Sequence, residues 1–208
     1  MNLEALSTGL DRLYPNPQCA LDHKDAYELL VATILSAQST DVRVNLVTPA
    51  LFSRYPDPTA LSRAVPAELI VFMRSVGLFN NKAAALIGMA SQLVESHAGL
   101  VPDRMDALIA LPGVARKTAN VVLQNIWNRN EGFVVDTHVS RLAQRLGLTT
   151  ETKAERIERD LMSTFAVALW ARRSHQLILH GREVCDARRP ACDRCALFDV
   201  CPRVGLST

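Results

Sequence analysis

The 208-residue chain is 49% hydrophobic and 21% charged, so it can bury one sizeable core or two small ones and is too hydrophobic for extensive disorder. Its formal net charge of +2 does not by itself indicate a nucleic-acid-binding protein. No apolar run approaches the roughly 20 residues that cross a bilayer, and the first residues lack the basic-then-apolar pattern of a secretory signal. We therefore expect a globular, cytoplasmic protein that does not associate with a membrane.

Hydrophobic periodicity predicts helices along almost the whole chain. Leucines at helical spacing predict an amphipathic helix over residues 3–13. Residues 25–38 are apolar nearly all round, which predicts a helix at the centre of one domain. Pro49 lies inside the next predicted helix and should end or kink it. Only residues 133–135 alternate at a period of two, so we expect an all-α fold without a substantial sheet. Further helices are predicted over residues 60–65, 67–76, 82–95, 104–111, 154–166 and 170–179.

Residues 111–115 (LPGVA) predict a tight turn between two helices, because Pro112 fixes φ and Gly113 can adopt a positive φ. Lys117 follows in the first turn of the second helix, away from its apolar face, where the helix dipole disfavours a second positive charge. Arg116 acts in the same direction and favours a neutral, nucleophilic amine. The plainer interpretation is that Lys117 only contacts phosphate or solvent. Backbone N–H groups of the turn and the helix start can hold a phosphate beside it.

Asp136 precedes a second run of apolar residues at helical spacing, over 139–146, and is expected at the N-cap of that helix. Capping alone would explain an aspartate at this position. A capping carboxylate is also held rigidly and stays ionised, which suits a group that stabilises developing positive charge. We expect Asp136 to have both roles.

Four cysteines follow the pattern C-x6-C-x2-C-x5-C within 17 residues. Disulfides are not expected in a cytoplasmic protein, so four converging thiolates predict a metal site. Zinc is the generic alternative and is usually held by two closely spaced ligand pairs, whereas four thiolates also suit a [4Fe–4S] cluster. The four residues are Cys185, Cys192, Cys195 and Cys201.

The segment from residue 170 onward is locally basic, with seven arginines against four acidic residues. Such segments are commonly solvated surface. A basic rim beside an anion-holding turn is also what binding to a phosphate backbone requires. The arginines are Arg172, Arg173, Arg182, Arg188, Arg189, Arg194 and Arg203.

The sequence LPGVARKTANVVL followed by VVDTH resembles the helix-hairpin-helix and aspartate signature of the endonuclease III family, which are DNA glycosylases with AP-lyase activity. The resemblance implies that Lys117 attacks the sugar of a damaged nucleotide and that Asp136 is the second catalytic residue. It also implies that Gly113, Ala115 and Arg116 belong to a DNA-binding hairpin. The family's hairpin usually reads G-V-G, and here Ala115 replaces the second glycine.

Two further phrases resemble segments of the same family that enter the DNA duplex. LSAQSTD is similar to a segment whose glutamine occupies the space of the extruded base, which implies that role for Gln38. GLFNNKA is similar to a turn whose leucine wedges into the DNA from the opposite strand, which implies that role for Leu78. Phe79 replaces the tyrosine of that turn and removes a hydroxyl donor.

The resemblance also implies an architecture, a cofactor and a reaction. It implies two helical domains, residues 21–130 and residues 1–20 with 131–208, with a DNA cleft between them. The spacing of the cysteines matches the family's [4Fe–4S] loop. The expected activity is the removal of oxidised pyrimidines from double-stranded DNA through a Lys117 Schiff base, with strand cutting by β-elimination, by a monomer that also acts on abasic sites.

Three alternatives stay open at the level of the sequence. An adenine-mismatch glycosylase shares the cluster, but it lacks the nucleophilic lysine and normally has a further C-terminal domain, so Lys117 and the length of the chain oppose it. A member of the endonuclease III family with weak or lesion-restricted activity is the second. The third is a DNA-binding iron–sulfur protein without chemistry that senses redox state or distorted DNA.

Overall fold

The structure, a computed structural model, describes residues 2–206, and every regular element in that range is helical. The prediction of an all-α fold is therefore confirmed. Within the same range, no helix is long and apolar enough to cross a membrane. The α-helices are α1 (Leu3–Leu13), α2 (Ala26–Ser36), α3 (Asp41–Arg54), α4 (Pro58–Ser62), α5 (Pro66–Met73), α6 (Phe79–His97), α7 (Met105–Ile109), α8 (Arg116–Trp127), α9 (Thr137–Arg145), α10 (Ala154–Thr164) and α11 (Trp170–Glu183).

The chain forms two compact units. The central unit consists of Cys19–Arg129 and contains α2 to α8. The terminal unit consists of the chain up to Gln18 together with the chain from Asn130 onward, and it contains α1 and α9 to α11. Each unit has a hydrophobic core of its own.

Helix α2 lies at the centre of the central unit, as its composition predicts. Every residue from Tyr27 to Leu35 is buried, and α2 packs against α3, α6 and α8. Full burial of a large aliphatic side chain stabilises the fold by roughly 1.5–3 kcal/mol. The predicted helix included Asp25, which instead forms the N-cap, its carboxylate accepting a hydrogen bond from the Glu28 N–H at 2.9 Å.

Helix α3 corrects one part of the prediction for Pro49, because the helix does not end there. The proline lies inside the helix, which continues to Arg54. A proline removes one backbone donor, but Val44 before it and Leu51 after it are both completely buried. Because packing supplies most of the stability of a helix in a protein, burial on both sides keeps this segment helical.

Other helix boundaries differ from the predicted ones by a few residues. Helix α6 begins at Phe79, three residues before the predicted start, directly after the left-handed residue Leu78. Helix α11 continues to Glu183 rather than ending at 179, because its buried face extends to His180 and Gly181. Helix ends depend on tertiary contacts that periodicity does not report.

The terminal unit uses an ionic network beside its apolar core. The Asp11 carboxylate accepts hydrogen bonds from Arg173 at 2.7 and 2.9 Å and from Arg172 at 2.8 Å. Arg173 is only 2% exposed, and its hydrogen bonds hold the pKa of Asp11 well below its usual range. Arg172 and Arg173 are therefore paired with an acidic residue of the same unit, so the predicted basic surface is smaller than the count of arginines indicates.

Candidate functional site

The predicted hairpin is present between α7 and α8. The Leu111 N–H donates to the Leu108 carbonyl and the Val114 N–H donates to the Leu111 carbonyl, both at 3.1 Å. Gly113 has φ +76°, and a Cβ there would lie 2.8 Å from the Cβ of Ala85 in α6. This position therefore needs glycine for its backbone conformation and for the close approach of α6.

Helix α8 begins at the end of the hairpin with two exposed basic residues. Ala115 is its N-cap with φ −90° and ψ 168°, an extended conformation that alanine adopts without strain. The replacement of a glycine at this position therefore imposes no strain on the backbone. Arg116 and Lys117 occupy the first two helical positions and are exposed, while Ala119 on the inner face is buried.

The position of Lys117 differs from that of the other three lysines in the chain. Lys24 lies 3.4 Å from Glu28 as an ion pair, and Lys82 is buried. Lys153 is exposed at the start of α10 without a preceding hairpin. Lys117 is exposed and lies in the first turn of a 12-residue helix, whose N-terminal N–H groups carry partial positive charge.

Gln38 and Leu78, the two residues expected to enter DNA, share an uncommon conformation. Both have positive φ, 55° for Gln38 and 59° for Leu78, which costs a non-glycine residue about 1–2 kcal/mol. Both side chains are exposed, and Leu78 presents 52% of its surface. The two loops are hydrogen-bonded, because the Gly77 N–H donates to Ser39 Oγ at 3.1 Å. The fold therefore brings these two residues into adjoining loops of the central unit.

Asp136 caps α9 in the terminal unit, as predicted. Its Oδ1 atom accepts a hydrogen bond from the Val139 N–H at 2.7 Å, and the side chain is half-buried. His175 in α11 responds to its charge: burial and Arg182 lower the pKa of His175, whereas the negative charge of Asp136 acts to raise it. The capping carboxylate thus retains an electrostatic effect on its neighbours.

The four cysteines line one pocket of the terminal unit with mainly apolar neighbours, including Leu142, Leu146 and Leu197. None of them forms a disulfide. Burial raises the pKa of the Cys195 and Cys201 thiols, and negative charge on other cysteines of the loop raises both further. Four thiols that share an apolar pocket fit a group that converts them to thiolates by supplying positive charge.

Among residues 2–206, no three His, Cys, Asp or Glu side chains lie close enough together to hold one metal ion. Four cysteine thiolates are a ligand set that suits either a zinc ion or a [4Fe–4S] cluster.

Two basic side chains that the sequence reasoning missed reach the cysteine sulfurs. Arg145, the last residue of α9, donates to Cys185 Sγ at 3.2 Å and to the Asp186 carbonyl at 2.7 Å. The Nε2 atom of buried His180 lies 3.4 Å from Cys195 Sγ. The position of Arg145 at a helix C-terminus was visible in the sequence, but its contact with a loop 40 residues away was not.

Lys82 is the third missed residue, and it contacts the loop of Gln38. It lies on the buried stripe of α6 that also contains Leu86, Met89 and Leu93. Its Nζ atom donates to the Leu35 carbonyl at 2.7 Å and to Ser39 Oγ at 3.2 Å. A lysine at an apolar position of a helical repeat was the signal that could have identified it.

Comparisons with known proteins identify the family. The model of the HhH-GPD superfamily of base excision DNA repair proteins matches residues 31–166. Endonuclease III of Synechocystis sp. is 52% identical over 198 residues, which cover 95% of this chain and 90% of that protein. The chain belongs to the endonuclease III family of the HhH-GPD superfamily.

Other members of the family match the chain over a similar extent. Endonuclease III of Escherichia coli K12 is 38% identical over 187 residues, which cover 90% of this chain and 88% of that protein. A solved structure of a trapped covalent intermediate between endonuclease III and DNA, an estranged-adenine complex, matches with a TM-score of 0.91 and 35% identity. The match covers 98% of this chain and 97% of that one. Both relatives therefore match almost from end to end.

Proposed function

We propose that this protein is a DNA glycosylase and AP lyase of base excision repair that removes oxidised pyrimidines and then cuts the DNA strand. The observation that carries the proposal is the exposed Lys117 in the first turn of α8, directly after the Gly113 hairpin. Membership of the endonuclease III family supports it. The substrate is double-stranded DNA that contains a damaged base or an abasic site, and the protein acts as a monomer on DNA in the cytoplasm.

The amine of Lys117 is the nucleophile. Neutral Nζ attacks C1′ of the damaged nucleotide, the N-glycosidic bond breaks, and the base leaves with a proton. Loss of the ring oxygen from C1′ then gives an imine between Lys117 and the opened sugar. Removal of a C2′ proton expels the 3′ phosphate by β-elimination, and hydrolysis of the imine releases the enzyme.

Asp136 is the electrostatic partner of this reaction. Positive charge develops on the sugar as the base leaves and remains on the protonated imine. The Asp136 carboxylate, fixed by its hydrogen bond to the Val139 N–H, stabilises that charge or accepts a proton without needing to reorganise.

The hairpin and two loops of the central unit bind the DNA. Backbone N–H groups at Gly113 and Ala115, together with the guanidinium of Arg116, hold a backbone phosphate. A damaged base must leave the stack before its glycosidic bond is accessible. Gln38 and Leu78 are both exposed; Gln38 occupies the space of the extruded base, and Leu78 wedges into the DNA from the opposite strand.

Cys185, Cys192, Cys195 and Cys201 would hold a [4Fe–4S] cluster. With all four irons bound by cysteine, the cluster would cross-link a loop that has only one short 3-10 turn of its own, and its iron would keep the four thiols deprotonated. We expect the purified protein to contain about four irons per chain, and Cys192→Ser to lower the iron content and the melting temperature of the terminal unit. Zinc without iron after anaerobic purification would contradict this assignment.

Borohydride trapping tests the proposed activity. Sodium borohydride should reduce the imine and leave a covalent complex with DNA that contains an abasic site or an oxidised pyrimidine. Lys117→Gln should abolish the complex, and the control Lys153→Gln, which removes another exposed lysine, should leave it at the wild-type level.

Two outcomes would contradict this proposal. Undiminished trapping in Lys117→Gln would place the nucleophile elsewhere. DNA binding without any trapping in the wild-type protein would indicate a protein that binds DNA without lyase chemistry.

A further inference from the structure

Lys82 is a buried cation to which the proposed reaction assigns no role. Only 5% of its surface is exposed, and burial lowers the pKa of its ammonium group. A lysine is rarely buried unless its charge has partners, because desolvation is costly. Its contacts should therefore account for its position on the buried stripe of α6.

The first partner of Lys82 is the end of α2. Nζ donates a 2.7 Å hydrogen bond to the carbonyl of Leu35, which lies in the last turn of that helix. Carbonyls in the last turn of a helix lack intrahelical partners and carry partial negative charge. Helix α2 has no basic residue of its own in that turn. Lys82 supplies the missing cation from α6.

The second partner, Ser39, connects Lys82 to both DNA-entering loops. The Ser39 hydroxyl oxygen accepts one hydrogen bond from Lys82 Nζ at 3.2 Å and another from the Gly77 N–H at 3.1 Å. Ser39 is the residue after Gln38, and Gly77 is the residue before Leu78. The loops also touch directly, because a Cβ on Gly77 would lie 3.1 Å from the Gln38 carbonyl oxygen.

These bonds fix the two residues that have an unfavourable backbone conformation. Gln38 and Leu78 both have positive φ, and such strain persists only where the surrounding structure over-determines the backbone. Three of the elements that hold them meet at Lys82 and Ser39: the end of α2, the loop after it, and the turn before α6.

We propose that Lys82 is a positioning residue that fixes the loops of Gln38 and Leu78 relative to each other, so that both side chains enter the DNA as one preformed pair. The inference rests on the proposed function, since it concerns the step at which a damaged base is extruded. Preorganisation lowers the entropy cost of inserting both residues. Without Lys82, the loops would have to be ordered during base extrusion.

Lys82→Met tests the proposal, because methionine fills much of the same volume without the charge or the donors. Single-turnover excision from duplex DNA should slow at least tenfold, and the fluorescence rise of a 2-aminopurine placed opposite the lesion should be reduced. Imine trapping on a single-stranded abasic oligonucleotide should stay close to wild type, because that substrate has no stacked base to extrude. Lys153→Met, at an exposed lysine, is the matched control and should leave all three measurements unchanged.

A double-mutant comparison separates positioning from a general structural role. In a Gln38→Ala/Leu78→Ala background, adding Lys82→Met should slow excision by little more, because residues that act through one another have non-additive effects. Ser39→Ala, which keeps the lysine but removes the bridging oxygen, should reduce the 2-aminopurine signal in the same direction. If Lys82→Met does not fold, Ser39→Ala in the two backgrounds decides the question.

The results that would overturn this inference differ from those that would overturn the function. A wild-type protein that excises damaged bases, with Lys82→Met or Ser39→Ala equally fast, would exclude the positioning role alone. An effect of Lys82→Met that is fully retained in the Gln38→Ala/Leu78→Ala background would also exclude it. Absence of excision and trapping in the wild-type protein would instead refute the proposed function.

Discussion

Helices α8 and α9 each have a candidate catalytic residue at the N-terminus, Lys117 in the first turn of α8 and Asp136 at the N-cap of α9, but the two N-termini are built in opposite ways. Helix α9 is closed by Asp136, whose carboxylate accepts a hydrogen bond from the Val139 N–H at 2.7 Å. Helix α8 has Ala115 as its N-cap, a residue whose side chain has no hydrogen-bond acceptor, and two exposed basic residues follow it.

The difference separates two tasks that a helix N-terminus can perform. A capped start fixes a negative charge in one place, which suits the stabilisation of a cation. An N-terminus without a side-chain cap, followed by basic residues, leaves its partial positive charge to an external anion, which suits a DNA phosphate. In the proposed function, the same backbone geometry would bind the substrate at α8 and stabilise the transition state at α9.

The largest effect is expected when the negative charge at the N-cap of α9 is removed. Asp136→Asn should still cap α9, because asparagine is as good an N-cap as aspartate. Excision of a damaged base should nevertheless slow by roughly a hundredfold or more, the usual loss for one preorganised electrostatic group. Binding should persist, since phosphate contacts dominate affinity. Single-turnover excision and thermal melting measure the two effects.

The matched control for that change is Asp57→Asn. Asp57 caps α4 through a 2.8 Å hydrogen bond from the Ala60 N–H, so the two substitutions alter the same kind of cap. Asp57→Asn should leave excision unchanged. Wild-type excision in Asp136→Asn would leave that residue as a cap only.

A smaller effect is expected when the hairpin that precedes α8 is altered. Gly113→Ala should destabilise the protein by about 1–3 kcal/mol more than Gly99→Ala, the typical cost of overpacking. The two glycines have the same φ of +76°, but the added Cβ would lie 2.8 Å from Ala85 at Gly113 and meets nothing within 4 Å at Gly99. Denaturant unfolding of both variants gives the difference.

DNA binding by the same two variants shows whether the hairpin positions the N-terminus of α8. Gly113→Ala should weaken binding to DNA that contains an abasic-site analogue, whereas Gly99→Ala should bind as the wild type does. Equal losses of stability in the two variants would show that the contact with Ala85 carries no energetic weight. Equal binding would show that the hairpin can shift without consequence.

Local sequence was sufficient to predict both helix starts. The turn at Gly113 follows from the conformational freedom of glycine, and the cap at Asp136 follows from its place before an apolar repeat. Both are contained within about five consecutive residues. The prediction that Pro49 could end its helix was wrong for the opposite reason, because the burial that keeps α3 helical comes from other helices of the central unit.

Long-range polar contacts could not be predicted from the sequence. Lys82 bonds to atoms 47 and 43 residues away, and Arg145 bonds to a cysteine 40 residues away. The sequence placed Arg173 in a basic segment expected at the surface, whereas in the structure it is paired with Asp11. Side chains of the same type can be solvated or buried, and periodicity does not choose between these states.

The amino-acid sequence by itself determined the helices, the hairpin, the cap and the spacing of the cysteines, because short-range sterics and hydrogen bonds govern these features. Only the tertiary structure decided which polar side chains are buried and which loops they join. A buried charge is stable only where the whole fold brings it a partner, so the positions of Lys82 and Arg173 follow from the packing of separate helices.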